Sequence, residues 1–272
     1  MQTITFNCQS ITPILMHGAN GNSAELRPAS IKGVLRFWWR AIHGNLPLKE
    51  LKEREGEIFG SMDQKSSFNI RISKQSLQTE NINPLPHKKQ RDKGYHKKQA
   101  FKANETFNII FTGQNLNLVS NLFQLSTILG GFGQRSRRGF GSVKIIGSKV
   151  LTSHEEVKTL IKTINPKFSY THQSKKKNEE YPYIRKVKIG KNKNNIDDLL
   201  YKISKATSGK CGKHLFQDDR LASPIYVSIL KFGENDYRPI ITTLNCVSEK
   251  YVNFKDMLKR QKAFKEAILD VK

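Results

Sequence analysis

Acidic residues are what this 272-residue chain has least of for its charge: 23 Asp and Glu stand against 47 Lys and Arg, a formal net charge of +24. An imbalance on that scale repels itself unless a polyanion neutralises it, and nucleic acid is the commonest polyanion partner. Anionic membrane is the alternative. No apolar run reaches the ~18 residues that a bilayer span needs. No lipidation motif is present, and the first residues do not read as a signal peptide. The expectation is a cytoplasmic protein without membrane attachment. Cysteine is scarce too: Cys8, Cys211 and Cys246 are too few and too scattered for a disulfide framework. Cys211 and His214 make one C-x-x-H, half of what a zinc site requires. No metal or other cofactor is expected.

Tryptophan is nearly absent as well, and both copies sit in PASIKGVLRFWWRAIHG, residues 28–44. The stretch reads as a helix with Ser30 as N-cap and Gly44 as stop. At a helical pitch, Lys32, Arg36, Arg40 and His43 fall within a stripe of ~80°. Ile31, Leu35, Trp38 and Ile42 form a separate apolar face. Trp38 then belongs to the core, and Trp39, on the border nearest the cations, is the ring that could meet a ligand. The stripe is either a solvated charged face or a row of phosphate contacts with Trp39 as a stacking platform.

TITFNCQSITP, residues 2–12, alternates at Ile4, Phe6 and Cys8 with the period of a strand. SFNIRIS (67–73), ETFNIIFT (105–112) and the segment near 142–150 read likewise. A second helix begins at Pro47, and residues 116–130 repeat Leu118, Leu122, Leu125 and Leu129 at helical spacing. Strand, helices, strand, strand, helix, strand is the order of a ferredoxin-like domain. Residues 77–104, basic and with prolines at 84 and 86, interrupt it; so long a connection is usually functional or disordered. In the second half, 154–164 and 196–207 read as helices, 167–181 as a charged low-complexity loop and 181–190 as a strand. A hairpin over 223–244 and an amphipathic helix over 255–271 follow. The expected fold is α+β: a ferredoxin-like (RRM-like) domain over 1–150 and a degenerate second one over 151–272, whose strand order the pattern leaves open.

GGFGQRSRRGFG places Gly130, Gly131, Gly133, Gly139 and Gly141 around Arg135, Arg137 and Arg138. Glycines let a backbone come close and present its N–H groups, and a guanidinium grips phosphate through two donors at once. A flexible surface loop is the competing reading. The segment lacks the GK[ST] ending of a Walker loop and follows a helix rather than a strand, so ATP is not an expected ligand.

Arg27 to Arg40 spell R-P-x-S-x-K-G-x-L-R-x-W-W-R, Glu57 to Ser61 spell EIFGS, and the glycine stretch reads G-F-G-x-R-S-R-R-G-F-G-S. Together with the strand order these resemble the RAMP superfamily of CRISPR proteins, and within it the first-numbered RAMP subunit family of the type III-B (Cmr) effector. The likeness is good over 13–62 and 129–145, in pattern only over 63–128, and weak over 151–272. It implies paired ferredoxin-like domains and RNA held by the glycine-rich loop and the adjoining helix. It further implies a place near the 3′ end of the guide RNA, help in receiving target RNA, other RAMP subunits as partners, and no chemistry of its own. By position, the RNA-binding role falls on Lys32, Arg36, Trp39 and Arg40 and on Gly130 to Gly141 with Arg135, Arg137 and Arg138. The lysines of the 77–104 insertion would touch RNA or a neighbouring subunit, or stay solvated.

Some RAMP relatives cut precursor guide RNA without metal, through a histidine acid or base. His17 and His43 are the two candidates for that runner-up role, although neither has an evident second acid or base. Asp197 and Asp198 adjoin on a helix, which points neighbours apart, and Asp218 and Asp219 adjoin in an apparent loop, so metal-dependent cleavage is not favoured.

Overall fold

The computed structural model describes residues 1–73, 76–93, 95–114, 116–170, 181–208, 223–245 and 254–269. Cys211, His214, Asp218, Asp219 and Cys246 lie outside them.

Strand β1 (Gln2–Ser10) leads through a loop to helices α1 (Pro28–Ile42) and α2 (Leu48–Phe59), then to β2 (Phe68–Ser73). Helix α1 starts at Pro28, not at Ser30: Arg27 is the N-cap, and proline's fixed φ and missing N–H suit the first helical position. The 77–104 insertion is not a plain loop. It forms a two-stranded antiparallel ribbon, β3 (Thr79–Ile82) with β4 (Lys98–Phe101). Its turn is shaped by Asn83, whose amide donates to the carbonyls of Leu85 and Lys88 while its oxygen accepts from Leu85 N–H. Strand β5 (Thr106–Gly113), α3 (Leu116–Leu129), a 3-10 turn (Ser136–Arg138) and β6 (Val143–Ile145) follow, and β6 is the last strand of the first sheet.

The first sheet runs β2-β5-β1-β6, antiparallel throughout, which is the ferredoxin-like order. Period-two alternation sends Phe6 and Cys8 of β1 and Phe107, Ile109 and Phe111 of β5 to one face, where Leu35 and Trp38 of α1 and Leu122 and Phe123 of α3 cover them. Burial there pushes the Cys8 thiol up to about 12, so it behaves as a small apolar group. The other face carries Thr3, Thr5, Asn7, Asn69, Arg71 and Asn108. It offers none of the aromatic rings on which RRM domains stack bases.

Helix α4 (His154–Ile164) comes next, set by a capping box between Ser153 and Glu156, with Val157 and Ile161 joining the core of the first sheet. Strand β7 (Ile184–Ile189), α5 (Ile196–Ser208), β8 (Ile225–Gly233), β9 (Asp236–Leu244) and α6 (Phe254–Leu269) follow. The sheet runs β7-β9-β8, the first three positions of the same topology, and no fourth strand joins it among the described residues. Its core unites Leu200 and Ile203 of α5, Val227 and Ile229 of β8 and Phe264 of α6.

Candidate nucleic-acid interface

Helix α1 presents the cationic stripe that the sequence suggests, but with company. Arg36 pairs with Glu55 of α2 at 3.0 Å, and its Nη2 donates to the carbonyls of Phe59 and Gly60. Arg40 pairs with the other oxygen of the same carboxylate. Glu55 is 6% exposed, while the two arginine side chains remain 40% and 42% exposed. One buried anion thus aligns two half-exposed guanidinium groups, leaving a net positive charge at the surface. Lys32, one turn earlier, lies 5.4 Å from the ring centre of Phe68, and burial followed by the Arg36 charge lowers its pKa. A cation held below its ordinary affinity for protons is better stabilised once an anion arrives.

Trp39 does not face this surface. It is 2% exposed, stacked at 4.2 Å on His43 and edge-on to Phe59 of α2, so the expectation that it offers a stacking platform is corrected. Helix α2 covers the border position that a helical wheel leaves open.

The glycine loop also differs from an open cradle. Gly139 N–H donates to Val227 of β8 and Gly141 N–H to Pro13, while Phe132 and Gln134 N–H groups donate to Gly141 and Leu15. Gly141, at φ +67°, lies so close to the Phe132 carbonyl that a β-carbon would collide with it. Gly139, at φ +83°, packs on Leu200 and Ile203 of α5. Gly130 lies against the Trp38 indole, Gly131 against Phe140 and Gly133 against Leu15. These glycines serve close approach to protein, and the amides named are not turned outward.

The three loop arginines part company. Arg137 donates to the Ser223 carbonyl and lies over the Tyr226 ring at 4.6 Å. Arg138, 9% exposed, donates to Ile225 and to Arg137, with burial, Arg135 and Arg137 lowering its pKa to about 10. Both are therefore fastened to the β8 edge, against their reading as open phosphate ligands. Arg135, in a left-handed conformation at φ 61°, instead keeps Nε and Nη2 shielded without a hydrogen-bond partner.

His17 Nε2 is 2.8 Å from the Gln99 carbonyl and so carries the proton, tying the strand-following loop to the ribbon. His43 Nδ1 donates to the Trp39 carbonyl at 2.7 Å, and burial lowers its pKa. His43 also lines a cavity of about 520 Å³ with Asn45, Glu50, Arg54, Asn165 and Lys167. Sequence reasoning gave no weight to Glu55, Arg54 or Lys167. The signal for Glu55 is an acid on a helix that follows the basic one. The described residues contain no cluster of His, Cys, Asp or Glu that could hold a metal, and none of their helices is long and apolar enough to cross a membrane.

A ferredoxin-like sheet of this order, followed by a glycine-arginine loop sealed onto a partner sheet, defines a class, and the chain belongs to it: the RAMP superfamily matches residues 7–144. Its particular likeness is to Cmr subunits of Pyrococcus furiosus. CRISPR system Cmr subunit Cmr1-2 is 29% identical over 179 residues, 53% of this chain and 96% of that one. Subunit Cmr1-1 is 29% identical over 161 residues, 52% of this chain, and the chain spans about half of its length (47%). The apo crystal structure of Cmr1 from the same organism superposes with a TM-score of 0.67 at 20% identity, covering 98% of this chain and 96% of that one. A chain of the type III-B Cmr-beta complex bound to cognate target RNA and AMPPnP superposes at 0.65 with 14% identity, over 97% and 99%. These superpositions establish the shared fold.

Proposed function

We propose that this chain is an RNA-binding subunit of a cytoplasmic type III-B CRISPR effector. It sits near the 3′ end of the guide RNA, beside other RAMP subunits, and helps capture target RNA for antiviral defence. The observation that carries the reading is the row of Lys32, Arg36 and Arg40 on α1, partly exposed, with Glu55 aligning the two arginines. It lies in a chain of net charge +24. Cations at one-turn intervals meet successive phosphates and leave base reading to the guide, as in other guided systems. Two features support the setting: likeness to Cmr subunits, and a fold shared with a chain of an RNA-bound Cmr complex. Fluorescence anisotropy with single-stranded RNA across a salt series tests it. Affinity falls with a slope of about −0.7 per neutralised phosphate. Replacing Lys32, Arg36 and Arg40 by alanine reduces that slope by about two. Equal slopes in the two proteins would end the proposal.

One observation favours a second reading, a metal-independent endoribonuclease. His43 has its tautomer fixed by the Trp39 carbonyl and stands with Arg54 and Lys167 at a cavity of nucleotide size. Incubation with repeat RNA in EDTA decides. Defined cleavage lost in His43→Ala establishes the enzyme, and intact RNA leaves the binding subunit.

A further inference from the structure

The four-stranded and three-stranded sheets differ at one position. In the first, β6 lies beside β1, the strand that opens that sheet in chain order. In the second, the matching position beside β7 is filled by no strand among the described residues, while β9 pairs β7 on its other side. The opposite margin of the same sheet is closed. There Gly139 N–H donates to Val227 of β8, Arg138 donates to Ile225, and Ser142 Oγ accepts from Ile229 N–H.

The register shows what β7 offers on its open side. Gly190 N–H donates to the Pro239 carbonyl of β9, so Gly190 turns its backbone groups inward. The pairing runs without a break from Lys186↔Thr243 to Ile189↔Ile240. In an antiparallel ladder inward and outward residues alternate, which leaves the N–H and C=O groups of Val187 and Ile189 on the open margin. A groove of about 790 Å³ follows that margin, with residues 185–189 along it, Ser153 and His154 at the head of α4, and Leu269 at the end of α6. Arg185, Lys186 and Lys188 are exposed, and none of the described residues lining the groove is acidic.

We propose that the open margin of β7 takes an extended, acidic segment of another protein, which adds as the fourth strand of the second sheet. Strand addition gives affinity through main-chain hydrogen bonds and specificity through alternate side chains. Donors and acceptors alternate along β7, as they do on another peptide strand. A phosphate chain brings acceptors alone and would leave the outward carbonyls unpaired. Exposed lysines and a bulge deter casual pairing at a sheet edge, and the β7–β9 register shifts between Ile184 and Lys186. A second copy of β7 would set Arg185, Lys186 and Lys188 against their own kind, and like charges across a strand pair destabilise it. Glutamates or aspartates turn the same cations from a deterrent into a selector. This surface is separate from the cations of α1 and does not rest on the RNA reading.

Hydrogen exchange on the full chain tests the proposal at the amides of Val187 and Ile189. The probe is a synthetic peptide of about six residues, the length of a typical strand, alternating glutamate and valine. A lysine–valine peptide and a short single-stranded RNA serve as competitors. In the dilute free chain both amides are expected to exchange fast, and saturating glutamate peptide slows them by about tenfold or more. Lys186→Glu with Lys188→Glu abolishes that protection. Ile189→Pro keeps the charge and removes one outward N–H, a change that edge strands tolerate; it weakens the peptide by about tenfold. Protection already present in the dilute free chain would overturn the proposal, because the margin is then occupied by the chain itself. Protection that rises with protein concentration assigns the margin to a second copy and also overturns it. So does protection by RNA or by the lysine peptide in place of the glutamate peptide. Glutamate-peptide binding unchanged in Ile189→Pro reduces the effect to charge attraction and sinks the strand. Should Ile189→Pro not fold, the wild-type exchange and the charge reversal decide.

Discussion

Arg36 and Arg40 on α1 and Arg137 and Arg138 in the glycine loop carry the same side chain in equally conspicuous sequence settings, yet they do different work. The first pair shares one buried carboxylate and keeps two-fifths of each side chain in solvent. The second pair donates to main-chain carbonyls of residues 223 and 225 and packs on Tyr226 and Phe264. A guanidinium is always charged and forked, so it serves equally to hold phosphate or to satisfy an exposed strand edge. Which task it takes is decided by the acceptors that the fold brings near.

The largest effect should come from breaking the second pair's frame. Gly141→Ala drives a β-carbon into the Phe132 carbonyl at a positive φ, and a loss of about 3 kcal/mol or more is expected in urea unfolding. Arg138→Ala removes a buried charged donor from the Ile225 carbonyl, leaving it the longer 3.4 Å bond from Ser223 Oγ, and is expected to remove about 2–3 kcal/mol, again by urea midpoint. If Arg138→Ala instead leaves stability unchanged and weakens RNA, the contrast between the pairs disappears. Glu55→Gln releases the first pair: RNA affinity rises severalfold in anisotropy while stability drops by about 1–2 kcal/mol. Acidification gives a smaller effect. His43 is neutral and buried, with a folded pKa below its unfolded value of about 6.5. The unfolded chain therefore binds protons first, and stability is lost as pH falls below that value. His43→Gln should flatten this dependence in melts recorded between pH 7 and 5. The mildest change is Ser153→Ala, which removes a helix cap from α4 for about 1 kcal/mol.

Much of the fold was legible because periodicity and punctuation agreed. Strands β1, β2 and β5 alternate cleanly, and α4 occupies residues 154–164 as its pattern indicates. The strand order of the second sheet was not legible: β8 is buried along six successive residues and so shows no period-two alternation to assign a face or a partner. The ribbon in 77–104 was hidden by its polarity: β3 and β4 hold four residues each, and β3 buries almost nothing. Trp39 was misplaced because a single-helix projection contains no neighbour, and α2 arrives on that side. The stripe of cations was visible in the sequence; the carboxylate that aligns it was not, because Glu55 looks like one more acid on a charged helix. The glycine loop misled in an instructive way. Tight backbone approach reads the same in sequence whether the object approached is a phosphate or another segment of the chain, and here the named close contacts are with protein.

The loop's grip on β8 has an implication for handling the molecule in halves. Expressed without its companion, the C-terminal half would bare a strand margin eager to recruit any stray polypeptide. Truncation between residues 145 and 154 should therefore yield sticky, poorly dispersed material, and attempts to assign activities to separate fragments would report on clumping before they reported on ligands.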